Sequence, residues 1–193
     1  MKKKIIYLIL ATLSLNSLRS QGNQINNLKP ATMTQKDYTS GFTVDQTAAQ
    51  VFKSITNLRG WWSEDIEGKT DKINEVFNYR YKDVHRAKIK LVEAVPGKKV
   101  VYLIQENYFQ FTKDKSEWTG TKLVFDISRE DGKTKVQFTH VGLVPDYECF
   151  EICSDAWGNY IKKSLRNLIT KGKGQPNPKE GGFNEQVLRD HNK

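Results

Sequence analysis

Two histidines are the residues of this sequence best suited to chemistry. His85 and His140 each lie in a segment where apolar and polar residues alternate, which predicts that both face the same side of a sheet as Phe125 and Phe138. An imidazole with an ordinary pKa of about 6.5 can donate, accept or exchange a proton near neutral pH. Two interpretations follow. The histidines are hydrogen-bonded within a core, or they are polar anchors that orient a ligand carboxylate or carbonyl in a cavity.

The other candidates for chemistry are weaker. Cys149 and Cys153 are the only cysteines, and we expect two small buried hydrophobic side chains, because residues one helical turn apart rarely meet the geometry of a disulfide. Too few ligands accompany them for a metal site, and the sequence predicts no cofactor. It contains no complete Gly-x-x-x-x-Gly-Lys-Ser/Thr loop and no Gly-x-Ser-x-Gly, Gly-x-Gly-x-x-Gly or His-Glu-x-x-His motif. We therefore assign no catalytic residue.

Charge and composition exclude some classes of protein. Charged residues make up 27% and hydrophobic residues 37% of the 193 residues, which is typical of a globular domain rather than a disordered chain. The net charge of +9 falls to +5 when the four basic residues among the first twenty are left out. No block of basic residues is interleaved with aromatic ones, so no nucleic-acid partner is expected.

The first residues resemble an export signal. A basic start is followed by an apolar run over residues 5–15, which is short for a membrane span of about 20 residues. We expect a signal-peptide-like segment over residues 1–20, and an exported, periplasmic or extracellular protein with no stable membrane span if the signal is cleaved. The alternative is a chain anchored to the membrane by residues 5–15.

The elements that must position the histidines follow from hydrophobic periodicity. A polar linker is expected over residues 21–36, one domain over residues 37–172 and a flexible tail over residues 173–193. A short helix capped by Asp45 follows the first strand and ends near Gly60. Strands are predicted at residues 38–44, 75–81, 85–91, 100–104, 121–128 and 135–140. Strands followed by a helix indicate an α+β fold.

A long amphipathic helix is predicted over residues 147–171, with Asp146 as its N-cap and Gly172 as the left-handed residue that ends it. Gly158, in the middle, costs about 1 kcal/mol relative to alanine, so either close contact with the sheet or room for a ligand is expected there. The apolar side chains that recur at three- and four-residue steps form one stripe: Phe150, Cys153, Trp157, Ile161, Leu165 and Leu168.

Trp61 and Trp62 follow the short helix. Because two adjacent indoles cannot both face inward on regular structure, we expect that one packs in the core and that the other lines the entrance of a cavity.

The last strands and the long helix resemble a known family. The Phe138-Thr139-His140-Val141-Gly142-Leu143 strand end and the Ala156-Trp157-Gly158 turn of the helix resemble the SRPBCC, or START-like, superfamily. The branch is the one similar to the C-terminal domain of the activator of heat-shock-protein ATPase, and the resemblance runs over residues 38–172. It implies a helix-grip fold, in which a curved antiparallel sheet wraps around the long C-terminal helix and leaves an apolar cavity. The signal-like start departs from the commonest members, which are cytoplasmic.

We expect this domain to bind an apolar or amphipathic small molecule in that cavity without catalysing a reaction. Two alternatives stay open: a cyclase- or hydrolase-like enzyme that uses His140 or His85 as acid or base, and a protein-interaction or chaperone-associated module. The ligand, the oligomeric state and the redox state of the cysteines are not predicted. The expected ligand-binding residues are Trp62, Phe77, Tyr79, His85, Phe125, Phe138, His140, Cys153, Trp157 and Ile161.

Overall fold

A seven-stranded antiparallel sheet carries the domain. The structure, a computed structural model, describes residues 36–179 of the chain. The sheet order is β1-β7-β6-β5-β4-β3-β2, so six strands form a continuous meander and the first strand pairs with the last. The strands are β1 (Tyr38–Val44), β2 (Ile66–Glu67), β3 (Val76–Tyr81), β4 (His85–Val95), β5 (Lys99–Phe109), β6 (Lys122–Glu130) and β7 (Lys133–Val141). All but the two-residue β2 were predicted.

Bulges curve the sheet where β4 pairs with β5. Ile89 pairs with Ile104 and Lys88 with Glu106, so Gln105 is an extra residue on β5, and a second shift lies between Leu91 and Glu93. A bulge bends a strand and increases its twist. At the far end of the meander, Asp131 and Gly132 both adopt positive φ in the tight turn between β6 and β7.

A C-terminal helical segment, residues 150–171, packs across the buried face of this sheet. It consists of α2 (Phe150–Asn159), a π-helical stretch (Tyr160–Leu165) and α3 (Arg166–Lys171). The short helix α1 (Ala48–Thr56) follows β1, and a 3₁₀ turn (Leu58–Gly60) ends it. This arrangement is the predicted α+β helix-grip fold.

Two of the predicted helix caps are wrong. The start of α1 is capped by Thr47 rather than Asp45, because Thr47 and Gln50 form a reciprocal capping box. Helix α2 begins at Phe150 rather than at residue 147, so Asp146 does not cap it.

The start of α2 is capped by a side chain that is distant in sequence. The carboxylate of Glu117, in the loop before β6, accepts hydrogen bonds from the backbone N–H groups of Glu148 at 2.6 Å and Cys149 at 3.0 Å. The predicted end is confirmed, since Gly172 has a φ of 75° and its N–H donates to the Leu168 carbonyl at 3.0 Å.

The segment after Gly172 differs from the predicted loose tail. Asn177 is fully buried, its backbone N–H donates to the Trp62 carbonyl, and its carbonyl accepts from Glu64. Residues 173–179 are therefore attached to the domain at least through Asn177. The predicted signal segment, most of the predicted linker and residues 180–193 lie outside the described residues. No helix within residues 36–179 is long and apolar enough to span a membrane.

Candidate ligand pocket

An aromatic core fills most of the space between the sheet and the C-terminal helical segment. All ten predicted ligand-binding residues lie in this layer, and none is more than 7% exposed. The structure does not place them around one large cavity. Ile161 contributes to the buried core, as do Phe77, Phe125 and Phe138, and none of these four belongs to the lining of the pocket beside α2.

A small pocket remains at the end of this layer, beside α2. Its volume is about 50 Å³ and it opens to solvent. Five of the predicted residues border it: Trp62, Tyr79, His85, Cys153 and Trp157. The other lining residues are Val84, Phe109, Phe111, Trp118, Ile152, Ala156 and Tyr160. No charged side chain belongs to this lining, so the pocket is an apolar, aromatic one.

Stacked rings build the inner wall of the pocket. Trp62 stacks on Tyr79 with ring centroids 4.4 Å apart, and it contacts Trp157 at 5.3 Å. Trp157 in turn stacks against Trp118 at 5.8 Å. Aromatic pairs at these distances add stability beyond the area they bury, so the wall is rigid.

Both tryptophans that follow α1 are buried. As predicted, one of them, Trp61, packs in the core, and the other, Trp62, borders the pocket, although at its inner wall rather than at its entrance. Trp61 is in edge contact with Phe125 at 5.9 Å and donates its indole N–H to the Ile55 carbonyl at 3.2 Å. Trp62 lies on the pocket side of it, with the two rings 6.4 Å apart. The irregular turn at these residues, rather than a helix or strand, allows adjacent indoles to face inward.

The mouth of the pocket is made of aliphatic side chains and one partly exposed ring. Ile152 and Ala156 of α2 form one side. Phe111, which is 38% exposed, and Val84 form the other. Phe111 contacts the Phe109 ring at a centroid distance of 4.9 Å, and its exposure makes it the lining ring best placed to move outward.

Both ring nitrogens of His140 form hydrogen bonds within the core. The indole N–H of Trp157 donates to its Nδ1 at 3.0 Å, so the proton of the neutral ring lies on Nε2. Nε2 donates to Oγ1 of Thr121 at 2.9 Å, and Thr121 donates onward to the Trp118 carbonyl at 2.6 Å. Burial and, to a smaller extent, the nearby His85 lower the pKa of His140 to about 3. Neither nitrogen is left for a ligand.

His85 is placed differently, because it borders the pocket. Its Nε2 lies 2.9 Å from Oδ1 of Asn107, and its ring is packed between Tyr79, Phe109 and Trp118 at centroid distances of 4.9, 4.3 and 4.8 Å. Burial among these rings lowers its pKa to about 3, although the bond to Asn107 acts in the opposite direction. His85 is therefore neutral at physiological pH.

The cysteines are buried and free, as predicted small core residues would be. Cys149 accepts from the indole N–H of Trp118 at 3.3 Å, and Cys153 borders the pocket. Burial raises the pKa of the Cys153 thiol well above its usual value, and the neighbouring Cys149 raises it further. A protonated thiol is a poor nucleophile.

Sequence reasoning missed seven of the twelve lining residues, and it missed Asn107, which contacts His85. Asn107 and Phe109 follow the bulge at Gln105, which shifts the inward–outward alternation of β5 by one residue. Continuing the alternation from Ile104 without the bulge would place both side chains on the outer face of the sheet. Tyr160 and Ala156 neighbour the predicted stripe of the helix. The remaining lining residues could have been found from their aromatic or branched side chains, but not from periodicity.

A larger groove of about 480 Å³ lies on the outer face of the sheet, away from the helix. Several of its charged groups pair with neighbours: Lys88 with Glu106 at 3.0 Å, and Arg86 over the Tyr108 ring at 4.5 Å. It is wide and polar, and we do not take it as the functional site. Among residues 36–179, no group of three or more acidic, histidine or cysteine side chains is arranged to hold a metal.

Comparison with known proteins relates this chain to others by fold. No protein-family model matches it, and no curated protein matches it. The Aha1 dimer from Colwellia psychrerythraea superimposes with a TM-score of 0.57 and 20% identity, over 72% of this chain and 99% of that chain. Protein MLL2253 from Mesorhizobium loti gives 0.54 and 11%, over 80% and 98%. Protein SSP2350 from Staphylococcus saprophyticus gives 0.53 and 14%, over 72% and 95%.

At these identities the likeness shows a shared fold and nothing about activity. The fold implied by the START-like resemblance is therefore supported, and the pocket has to be interpreted from its own residues.

Proposed function

We propose that this domain binds a small apolar or amphipathic molecule in the aromatic pocket beside α2, without transforming it. One observation carries the proposal: a pocket open to solvent is lined by rings and aliphatic groups and by no charged side chain. Ligand sites in proteins are mostly apolar with a few polar groups that fix orientation. Here His85 is such a group.

The size of the pocket limits what can enter. A cavity of about 150 Å³ holds a benzene molecule in other proteins, whereas this one measures about 50 Å³. A ring can enter only when side chains at the mouth move, and Phe111 is the one with the most exposed surface. We therefore expect the ligand to insert one ring or a short chain and to leave the rest of the molecule in solvent.

The chemistry of the lining favours binding over catalysis. General acid–base catalysis needs a group whose pKa lies near the working pH, and the pKa of His85 is about 3. Both ring nitrogens of His140 are already hydrogen-bonded, one to Trp157 and the other to Thr121. The lining contains no carboxylate.

Toluene is a suitable probe, because it is a single apolar ring. In ¹H–¹⁵N NMR spectra, we expect toluene to shift the indole N–H signals of Trp62, Trp118 and Trp157, which border the pocket, and to leave that of Trp61 in place. Native mass spectrometry of the purified protein should also reveal a co-purified small molecule.

A matched pair of variants locates the binding. Ala156→Phe adds a ring at the mouth of the pocket and should reduce toluene binding at least tenfold. Glu151→Phe adds the same ring at an exposed position of the same helix and should have no effect. If toluene shifts none of the pocket indoles, or binds equally to the Ala156→Phe variant, the proposal is wrong.

A further inference from the structure

The hydrogen-bonding state of His85 is set by its neighbour on β5. The side-chain N–H of Asn107 donates to the Lys115 carbonyl at 3.3 Å, which turns the amide oxygen of Asn107 toward His85. An amide oxygen can only accept, so Nε2 of His85 must carry the proton and donate it across the 2.9 Å contact. The lone pair of the ring therefore lies on Nδ1.

Nδ1 of His85 takes part in no hydrogen bond among residues 36–179, although the ring borders the pocket. The neighbouring indoles do not donate to this atom, because the N–H of Trp118 donates to Cys149 and the N–H of Trp157 donates to His140. The hydroxyl of Tyr160 is hydrogen-bonded to the side chain of Asn177 at 2.6 Å. Nδ1 of His85 is thus a neutral acceptor without a hydrogen-bond donor among the described residues.

We infer that the pocket selects a neutral aromatic molecule that carries a hydrogen-bond donor, such as a phenol or an N–H heterocycle, and that Nδ1 of His85 receives that donor. This inference rests on the proposed function and narrows the ligand class of the same pocket. A carboxylate is disfavoured, because no cationic side chain lines the pocket and a buried charge without a partner is costly. A ligand carbonyl cannot bond to Nδ1, since both atoms are acceptors.

The inference reverses the orientation expected from the sequence, in which the histidines would hold a carboxylate or a carbonyl. That expectation assumed a histidine able to donate into the cavity. The fixed tautomer of His85 and the complete pairing of His140 remove that possibility.

Phenol, toluene and benzoate test the inference, because they share one ring and differ in the group attached to it. A net hydrogen bond is worth a factor of about 3 to 10 in affinity. We therefore expect phenol to bind the wild-type protein about 3 to 10 times more tightly than toluene, measured by NMR titration of the pocket indole signals. Benzoate should give no shift at these positions.

The variant His85→Phe keeps a ring and removes the acceptor. It should bind phenol and toluene with equal affinity, because the acceptor that favours phenol is gone. A second measurement needs no variant: the ¹⁵N signal of Nδ1 of His85 should move when phenol is added and stay in place when toluene is added. If the variant does not fold, this ¹⁵N measurement on the wild-type protein is sufficient to test the inference.

The outcomes separate the two proposals. If neither phenol nor toluene shifts the pocket signals, the proposed binding function fails, and this inference with it. If toluene binds as tightly as phenol, if benzoate binds as tightly as phenol, or if Nδ1 does not respond to phenol, the donor inference is overturned while pocket binding stands.

Discussion

The two buried histidines couple the stability of this fold to pH. Both have a pKa of about 3 in the folded protein, against 6.5 for an unperturbed histidine. Between these values the unfolded chain binds more protons than the folded one, so the free energy of unfolding falls as the pH is lowered. The contribution of each histidine is fully present above about pH 6.5 and decreases below it.

We therefore predict that the wild-type protein loses about 1.6 kcal/mol of stability per histidine between pH 6.5 and pH 5, with a slope that approaches about 1.4 kcal/mol for each pH unit at the lower end. Urea unfolding at several pH values measures the change. The control is His140→Gln, whose amide can accept from Trp157 and donate to Thr121. This variant should show a shallower pH dependence, and a slope equal to that of the wild-type protein would contradict the argument.

At the scale of residues, the sequence predicts burial better than it predicts roles. Alternation in β4 and β7 places His85 and His140 on the inner face, and both are there. Their functions diverge because of partners that alternation cannot identify. Asn107 reaches His85 only after the bulge at Gln105, and Trp157 reaches His140 from the helix packed across the sheet.

At the scale of elements, the π-helical stretch keeps the C-terminal helical segment in register with the sheet. Cys153, Trp157, Ile161, Leu165 and Ile169 are all buried at steps of four residues. An α-helix has 3.6 residues per turn and would rotate such a series off one face. The wider i→i+5 turns of Tyr160–Leu165 correct that drift.

The apolar stripe predicted from the sequence assumes α-helical geometry throughout, and this assumption places Leu168 at the buried end of the stripe. The structure buries Ile169 there and leaves Leu168 half-buried. The π-helical stretch depends on packing against the sheet and on the contacts of Ser164, and neither is visible in local periodicity. Element type could thus be predicted for the helix, but its phase over the last two turns could not.

Gly158 and Gly174 should respond to alanine in opposite directions. A Cβ atom at Gly158 would meet only the Tyr38 hydroxyl oxygen, at an ordinary 3.5 Å, so neither close sheet contact nor a ligand cavity explains this glycine. Because glycine costs about 1 kcal/mol relative to alanine inside a helix, Gly158→Ala should raise the free energy of unfolding by up to that amount.

Gly174 is the matched control, because a Cβ atom there would collide with the Gly60 carbonyl oxygen and come within 3.1 Å of the Ser164 carbonyl. Gly174→Ala should therefore destabilise the domain by about 1–3 kcal/mol. Thermal or urea unfolding of both variants gives the comparison. A loss of stability in Gly158→Ala would show that this position has a packing role that the structure does not display.

At the scale of the whole molecule, the segment after Gly172 closes the fold around the pocket wall. Ser164 donates to the Trp61 carbonyl at 2.7 Å and accepts from the Gln175 N–H at 2.7 Å. The backbone N–H of Asn177 donates to the Trp62 carbonyl at 2.9 Å. The turn that carries both tryptophans is thus held between the π-helical stretch and the returning chain. The segment is rich in glycine, proline and lysine and contains few apolar groups, so its composition predicted a loose tail. The structure attaches it through hydrogen bonds, which composition does not reveal.

This attachment makes the side chain of Asn177 a test of how the pocket is kept rigid. Its amide N–H donates to the hydroxyl of Tyr160, whose ring lines the pocket, at 2.6 Å. Asn177→Ala removes this buried hydrogen bond and should cost about 1–3 kcal/mol of stability.

Lys179→Ala, at an exposed position two residues further on, is the control and should change stability by less than about 0.5 kcal/mol. Urea unfolding measures both variants, and near-ultraviolet circular dichroism reports the order of the tryptophan cluster. Because Tyr160 is in edge contact with Trp157 at a centroid distance of 5.9 Å, Asn177→Ala should also weaken the aromatic signal of the folded protein. If Asn177→Ala is as stable as Lys179→Ala and keeps that signal, the returning segment lies on the domain without organising it, and the rigidity of the pocket comes from ring stacking alone.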